Sequence, residues 1–126
     1  MANKSYAGPV RYPGLPVDED RIAAVEDVAC RDQLTWWNTM RWDRDQIMGW
    51  FSRAQSYVQA RGMSLYCNEF GMIRDAPNGP ACRWHADVRT AFEQLDIGWA
   101  HWDYAGGFSV LDSRRRPTLR TQPAYG

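Results

Sequence analysis

Two short apolar segments, Met63–Phe70 and Ile97–Trp102, restrict the possible folds of this chain most strongly. Both lack proline, and both have the length of strands that are buried in a sheet. The residues between them predict a helix over about 81–95, because apolar side chains recur there at helical spacing: Trp84, Val88, Ala91, Phe92 and Leu95. Two strands joined by a helix form a βαβ unit, and such units build parallel sheets. The sequence therefore predicts an α/β fold in which the two strands lie parallel.

A second stretch with helical periodicity precedes the first apolar segment. Asp43 and Gln46 have the spacing of a capping box, and Arg61-Gly62 supplies a cation and a glycine for the end of the helix. Apolar residues recur at helical spacing between these ends: Ile47, Trp50, Phe51, Ala54, Tyr57 and Val58. The pattern predicts a helix over about 44–61. The segment Met63–Phe70 does not alternate cleanly, which predicts a strand covered on both faces.

The pattern divides the chain into a loop-rich leader over 1–42, a helix–strand–helix–strand region over 43–111 and a tail over 112–126. Within the leader, Asp18–Cys30 is expected to form a short helix. At the end of the region over 43–111, Phe108–Leu111 is expected to form a brief strand. Two strands cannot form a stable sheet alone, because both faces and both edges need cover. The 126 residues are therefore expected to be part of a larger α/β domain.

Charge and composition exclude several classes of partner. Fifteen Lys and Arg balance fifteen Asp and Glu, which argues against a nucleic-acid partner held by phosphate contacts. No apolar run approaches the ~20 residues of a membrane span, so no membrane partner is expected. Three cysteines without CxxC spacing do not indicate a metal site, and no cofactor is expected. The N-terminus lacks the apolar region of a secretory signal, and the compartment is left unassigned.

Polar residues that could carry chemistry follow both predicted strands. In α/β sheets the functional side chains lie at the carboxyl ends of the strands, and these ends hold Asn-Glu-Phe-Gly at 68–71 and His-Trp-Asp-Tyr at 101–104. A glutamate at the end of an apolar strand is costly to bury unless its charge is used, so it is either functional or paired with an arginine. The seven tryptophans either pack in a core or present faces on which sugar rings stack.

The other reactive side chains have structural interpretations. Cys67 is predicted to be a small buried apolar residue. His101 alternates with Trp102 along the strand and is expected to point away from any pocket that Trp102 lines. His85 is expected on the solvent side of its helix, and Asp103 is expected to pair with an arginine.

Three segments together resemble the end of the catalytic barrel of glycoside hydrolase family 5, the cellulase-type enzymes. They are RGMSLYCNEFG over 61–71, R-W-x-x-D-V over 83–88 and GWAHWDYAGGF over 98–108. The resemblance covers roughly residues 8–111. It implies a partial (β/α)8 barrel, about the last two to three βα units. It also implies a glycosidase that acts on O-glycosidic bonds of a β-linked polysaccharide, of the cellulose, β-glucan or mannan type.

The resemblance assigns roles to residues at both strand ends. Glu69 matches the catalytic nucleophile of the family, and Trp102 matches the aromatic floor of the −1 sugar subsite. Asn68 and Tyr104 are expected to bind substrate. The expected partner is therefore a polysaccharide or oligosaccharide.

The second catalytic carboxylate of the family has no counterpart in this sequence. The family's acid/base glutamate lies in an Asn-Glu-Pro motif, whereas the Asn68-Glu69 pair of this chain is followed by Phe70. General acid–base catalysis contributes about 10²–10⁴-fold, so the chain alone is expected to be inactive or very weak. The chain is interpreted as a C-terminal fragment of the barrel, with self-association through exposed barrel edges as a further expectation.

Two non-enzymatic classes remain open at this point. One is a carbohydrate-binding module, which a flat row of exposed tryptophans with no buried glutamate would favour. The other is a structural half-barrel that completes itself by oligomerising. Trp36, Trp37 and Trp42 bear on the choice, because they are either outer sugar platforms or displaced core residues.

Overall fold

The computed structural model describes residues 6, 8–74 and 76–111. Its elements in chain order are α1 (Glu19–Ala23), α2 (Val28–Trp37), α3 (Arg44–Gln59), β1 (Tyr66–Phe70), α4 (Asn78–Gln94) and β2 (Gly98–His101). The chain is therefore α/β. No helix in the described part of the chain has the length and apolar character needed to cross a membrane.

β1 and β2 lie side by side and run parallel, with Tyr66 opposite Gly98. α4 connects them and packs on one side of the pair, so the predicted βαβ unit is confirmed. α4 begins at Asn78 rather than near 81, and it includes Pro80. Proline is tolerated in the first turn of a helix because its missing N–H would have no partner within the helix.

β1 contains a register shift between Cys67, which lies opposite Trp99, and Phe70, which lies opposite His101. One extra residue on β1 puts Cys67 and Phe70 on the same side, where both belong to the core next to α4. Asn68 and Glu69, between them, are exposed. The prediction of a strand covered on both faces is therefore wrong, because α4 covers one face and nothing in the described residues covers the other.

The main core lies between α3, α4 and the helix-facing side of the two strands. The Phe70 ring contacts the edges of Phe92 and Trp99, with centroid distances of 5.2 Å and 5.3 Å. Phe51 of α3 stacks on Phe92 at 4.6 Å. Because Phe70 directly follows Glu69 in the sequence, this packing holds the backbone at the carboxyl end of β1 in place.

α3 confirms the helix predicted over about 44–61, although it ends at Gln59. The Asp43 carboxylate accepts a hydrogen bond from the Gln46 amide at 3.0 Å, as the spacing predicts. Gly62 follows the helix with φ +67, a conformation that glycine adopts without strain. The buried side chain of Gln55 donates to the Leu95 carbonyl at 2.9 Å and so ties α3 to the end of α4.

The leader is more ordered than predicted, because it contains α1 and α2 rather than one helix over Asp18–Cys30. Asp27 is extended and its carboxylate accepts a hydrogen bond from the Cys30 amide at 2.6 Å, so it starts a new helix. The two helices then close a small separate core, made of Val17, Ile22, Cys30 and Leu34.

The chain segment before α1 is fastened to the main core by Tyr12. Its hydroxyl donates to Asp87 of α4 at 2.7 Å, and both side chains are buried. Arg83 donates to the Tyr12 carbonyl at 2.9 Å. Gly14 and Trp42 form an antiparallel bridge that joins the same segment to the start of α3.

Within the described residues, the brief strand predicted over Phe108–Leu111 does not form, and only Leu111 has the backbone pairing of a β-bridge. The Asp103 amide donates to the Phe108 carbonyl and the Val110 amide donates to the Asp103 carbonyl, both at 3.3 Å. The segment therefore closes a loop on Asp103 and does not pair with β1 or β2. The predicted tail over 112–126 lies outside the described residues.

Candidate active site

An open cavity of about 350 Å³ lies at the carboxyl ends of β1 and β2, which is where parallel sheets carry their functional residues. It is lined by Glu69, Phe70, Gly71, Trp102 and Phe108. Glu69 and Trp102, the two residues that the resemblance singled out most strongly, therefore line one cavity. Phe108 was not predicted as a site residue. The only signal in the sequence is its position after Gly106-Gly107, since two glycines allow the loop to turn back towards the strand ends.

The register shift in β1 determines where Glu69 lies. A regular strand would alternate Glu69 with Phe70 and Asn68, but the shift exposes both Asn68 and Glu69 on the side away from α4. Bulges of this kind are frequent beside functional sites, where they redirect a side chain. The Glu69 carboxylate is thus available to a ligand in the cavity.

The backbone of Trp102 is held against the end of β1. Its amide donates to the Phe70 carbonyl at 2.8 Å. Gly71 lies so close to the Trp102 carbonyl oxygen that any Cβ at that position would collide with it. Trp102 itself is 52% exposed, so a fixed backbone carries an indole that a ligand can reach.

Asn68 and Tyr104 do not line the cavity with Glu69. Asn68 is exposed on β1, and Tyr104 is 73% exposed in the loop after Trp102. The Tyr104 carbonyl accepts a hydrogen bond from the Ser109 hydroxyl at 2.7 Å, which holds the backbone of that loop. Their substrate contacts remain predictions.

Asp103 was expected to pair with an arginine, but in the described residues its carboxylate bonds to the backbone of its own loop. Its carboxylate accepts a hydrogen bond from the Gly106 amide at 2.7 Å. A Cβ at Gly106 would collide with that carboxylate. Aspartate often bonds in this way to a backbone amide a few residues further on, and such a bond orders a tight loop. Asp103 thereby shapes the loop that carries Phe108 towards the cavity.

Glu69 is the only ionisable residue that lines the cavity among the residues described. No arginine or lysine of residues 8–74 and 76–111 forms an ion pair with it. The interpretation of Glu69 as a structural partner of an arginine therefore has no support in this part of the chain. A carboxylate that faces an open cavity can act on a neutral ligand as a hydrogen-bond acceptor or as a nucleophile.

His85 was expected on the solvent side of its helix and is instead buried, at 6% exposure. It faces the core because Phe70 and Trp84 pack against its ring, at 5.0 Å and 5.8 Å between centroids. Cys67, predicted to be buried, is half-buried beside the same core.

The three tryptophans of the leader differ in their surroundings. The Trp42 indole donates to the Trp37 carbonyl at 2.8 Å, and its ring meets Trp50 edge-on at 5.2 Å, so Trp42 is a packing residue. Trp37 is half-buried, while Trp36 is 58% exposed. Trp36 is thus the most exposed of the three, whereas Trp37 and Trp42 line an open cavity of about 220 Å³.

Comparison with known proteins confirms the resemblance to cellulase-type glycoside hydrolases. No family model matches the chain. Endoglucanase C of Acetivibrio thermocellus and endoglucanase C307 of Clostridium sp. strain F1 are each 28% identical to it over 81 residues, which cover 64% of this chain and 24% of the relative. The chain thus spans about a quarter of the length of the curated relatives it matches.

Solved structures of similar proteins share the fold of this region. The endoglucanase Cel5A of Thermotoga maritima, solved as a mutant form with cellobiose, superposes with a TM-score of 0.58 at 23% identity, over 67% of this chain and 28% of that one. The cellulose synthase subunit CcsZ of Clostridioides difficile superposes with a TM-score of 0.55 at 23% identity, over 61% of this chain and 26% of that one. In both cases the match covers little more than a quarter of the larger structure.

Proposed function

We propose that this chain is the C-terminal part of a (β/α)8 barrel of glycoside hydrolase family 5, about its last two to three βα units, in an enzyme that cleaves β-linked polysaccharide with retention of configuration. The observation that carries the proposal is that Glu69 and Trp102 line one open cavity at the carboxyl ends of adjacent parallel strands. Similar endoglucanases, together with neighbouring structures solved with cellobiose or mannotriose, support a β-glucan or mannan substrate.

In the proposed mechanism, Trp102 stacks on the apolar face of the sugar, and Glu69 attacks its anomeric carbon while the bond to the leaving oxygen breaks. Water then hydrolyses the glycosyl ester of Glu69 and frees the carboxylate. Retaining enzymes place two carboxyl groups about 5–5.5 Å apart, one as nucleophile and one to protonate the leaving oxygen. Glu69 fits the first role, because it is exposed to the cavity and is the only ionisable residue lining it within the described part of the chain. Among the described residues that line the cavity, none offers a second carboxylate for the acid/base role.

A nucleophile without its acid should discriminate strongly between leaving groups. An activated aryl β-glycoside needs little protonation of its leaving oxygen, whereas a polysaccharide leaves as an alkoxide and depends on the acid. We therefore expect measurable release of dinitrophenol from a dinitrophenyl β-cellobioside. Cleavage of cellulose or mannan should be lower by about 10²–10⁴-fold than in an enzyme that has the acid.

The test compares Glu69→Gln with the matched control Glu93→Gln, an exposed glutamate on α4 whose side chain contacts Arg89. Aryl-glycoside turnover should be abolished in Glu69→Gln and kept in Glu93→Gln. Equal turnover in the two variants would show that Glu69 is not the nucleophile. Efficient cleavage of polysaccharide by the unmodified chain would mean that a second carboxylate acts in the cavity.

A second candidate function is sugar binding without hydrolysis. Two observations favour this candidate. The indole of Trp102 is exposed, and Glu69 is the only ionisable residue lining the cavity among the described residues. In that case cello-oligosaccharides should bind in a calorimeter, Trp102→Ala should remove the binding, and no aryl glycoside should be hydrolysed. Hydrolysis that Glu69→Gln abolishes would exclude this candidate.

Self-association is proposed for the open side of the sheet. β1 and β2 form a sheet of two strands within the described residues, so each has an outer edge without a neighbouring strand. Tyr66, 61% exposed, lies across Gly98 on the face away from α4. Open edges beside apolar side chains favour association. Sedimentation should detect oligomers that Tyr66→Glu weakens, and a concentration-independent monomer would refute the proposal.

A further inference from the structure

Two histidines lie directly behind the cavity, on the side of the sheet that faces α4. The ring of His101 on β2 stacks on the ring of His85 on α4, with 4.6 Å between centroids and an interplanar angle of 35°. The Phe70 ring contacts both, at 5.5 Å from His101 and 5.0 Å from His85. Phe70 directly follows Glu69 and His101 directly precedes Trp102, so the pair is connected to both cavity residues through the backbone.

His101 is bonded to the backbone on the far side of Trp102. Its Nδ1 atom lies 3.1 Å from the carbonyl oxygen of Asp103. A carbonyl oxygen only accepts hydrogen bonds, so Nδ1 must carry the proton and donate. The imidazole thus closes a short ring around Trp102, since it is attached to the chain just before that residue and bonded to the chain just after it.

The remaining backbone groups around Trp102 are held by the end of β1. The Trp102 amide donates to the Phe70 carbonyl, and its own carbonyl oxygen lies against Gly71. The Nε2 atom of His101 would lie 3.5 Å from a Cβ at Gly71, so the imidazole lies next to the place where Gly71 and the Trp102 carbonyl meet. The His101 ring thus lies beside the backbone that carries the Trp102 side chain.

We propose that His101, kept in place by the buried ring of His85, is a positioning residue that sets the orientation of Trp102 towards the cavity. His101 does not touch a ligand, because its ring lies on the side of β2 that packs against Phe70 and His85. It acts through the bond from Nδ1 to the Asp103 carbonyl and through its stacking on His85. Its effect on sugar affinity rests on the proposed function, whereas its effect on the Trp102 indole does not.

The test uses two amide variants that differ in where they place a donor. The side-chain nitrogen of His101→Asn can occupy the place of Nδ1, whereas that of His101→Gln reaches the place of Nε2. His101→Phe retains a ring for stacking and loses both nitrogens. In the nitrogen–proton spectrum of the chain, the indole signal of Trp102 is identified as the one that Trp102→Phe removes.

We expect His101→Phe and His101→Gln to shift or broaden the Trp102 indole signal and to lower the affinity for cellotetraose by about tenfold, as a partial loss of stacking would. His101→Asn should keep both properties close to those of the unmodified chain. If the Asn and Gln variants behave alike, the bond from Nδ1 does not position Trp102 and the proposal is overturned. His101→Phe and His101→Gln have no donor at the place of Nδ1. If either of these two variants gives the unmodified spectrum and affinity, the proposal is overturned as well.

The sugar site and the positioning role can fail separately. If the unmodified chain binds no cellotetraose while the indole signal still moves in His101→Gln and returns in His101→Asn, the positioning role stands and the proposed function falls. If sugar binds with Trp102-dependent affinity while none of the His101 variants moves the indole signal, the proposed function stands and the positioning role falls. Thermal melts of the three variants serve to check that each is folded.

Discussion

The hydrogen bond between Tyr12 and Asp87 allows us to predict how much the free energy of unfolding falls when the bond is removed. The Tyr12 hydroxyl donates to the Asp87 carboxylate at 2.7 Å across 75 residues of sequence. Tyr12 is 6% exposed and Asp87 is 4% exposed, so water does not replace the bond when it is lost. Tyr12→Phe removes the donor and leaves the packing of the ring in the main core unchanged.

The expected loss follows from the burial of both partners. A hydrogen bond to a charged group contributes about 1.5–3 kcal/mol, and a buried acceptor that loses its donor adds to the cost. We expect Tyr12→Phe to lower the free energy of unfolding by about 2 kcal/mol. For a chain of this size, this corresponds to a fall in Tm of roughly 8 °C.

Chemical denaturation followed by tryptophan fluorescence measures this free energy. A double-mutant cycle with Asp87→Ala should give a coupling of about 1.5–2 kcal/mol between the two residues. Tyr57→Phe is the matched control, because Tyr57 is 59% exposed and its variant should lie within about 0.5 kcal/mol of the unmodified chain. A coupling below about 0.5 kcal/mol would refute the view that this bond fastens the leader to α4.

Two further predictions concern local geometry. Asp43→Ala removes the cap of α3 and should cost about 1 kcal/mol in urea unfolding, and an unchanged midpoint would contradict the role of the Asp43 carboxylate as a cap. Gly71→Ala should disturb the Trp102 backbone and weaken cello-oligosaccharide binding in a calorimeter. Gly107→Ala, where a Cβ meets no atom within 4 Å, should leave that binding unchanged. Equal binding by the two glycine variants would show that the contact with Trp102 is unimportant.

The sequence was sufficient to predict the βαβ unit and the helix before it, because both depend on local patterns. Apolar spacing defines the helix faces, and the cap at Asp43 and the glycine at position 62 define the ends of α3. The placement of Glu69 and Trp102 in one cavity was also predictable, since parallel strands bring their carboxyl ends to the same edge.

The failures of prediction arise where distant parts of the chain meet. His85 was predicted to face solvent, yet Phe70 and His101 pack against its ring from the two strands. Asp27 divides the predicted leader helix in two, because the second core that α1 and α2 close depends on contacts between them. The division at Asp27 cannot be read from periodicity, which reports the pattern of one element at a time. His85, in contrast, lies three and seven residues before Val88 and Phe92, so helical spacing could have indicated its burial.

What the sequence determined by itself is the order of the elements and the identity of the residues at the strand ends. Only the tertiary structure decided in which direction the side chains of those residues point. An extra residue in β1 exposes Glu69 on the side away from α4, and it is detected only through the pairing with β2. The backbone of Trp102 is likewise held by Phe70 and Gly71, which the parallel pairing brings to it. Local propensity selects helices and strands, but the direction of a side chain at their ends is set by backbone contacts between them.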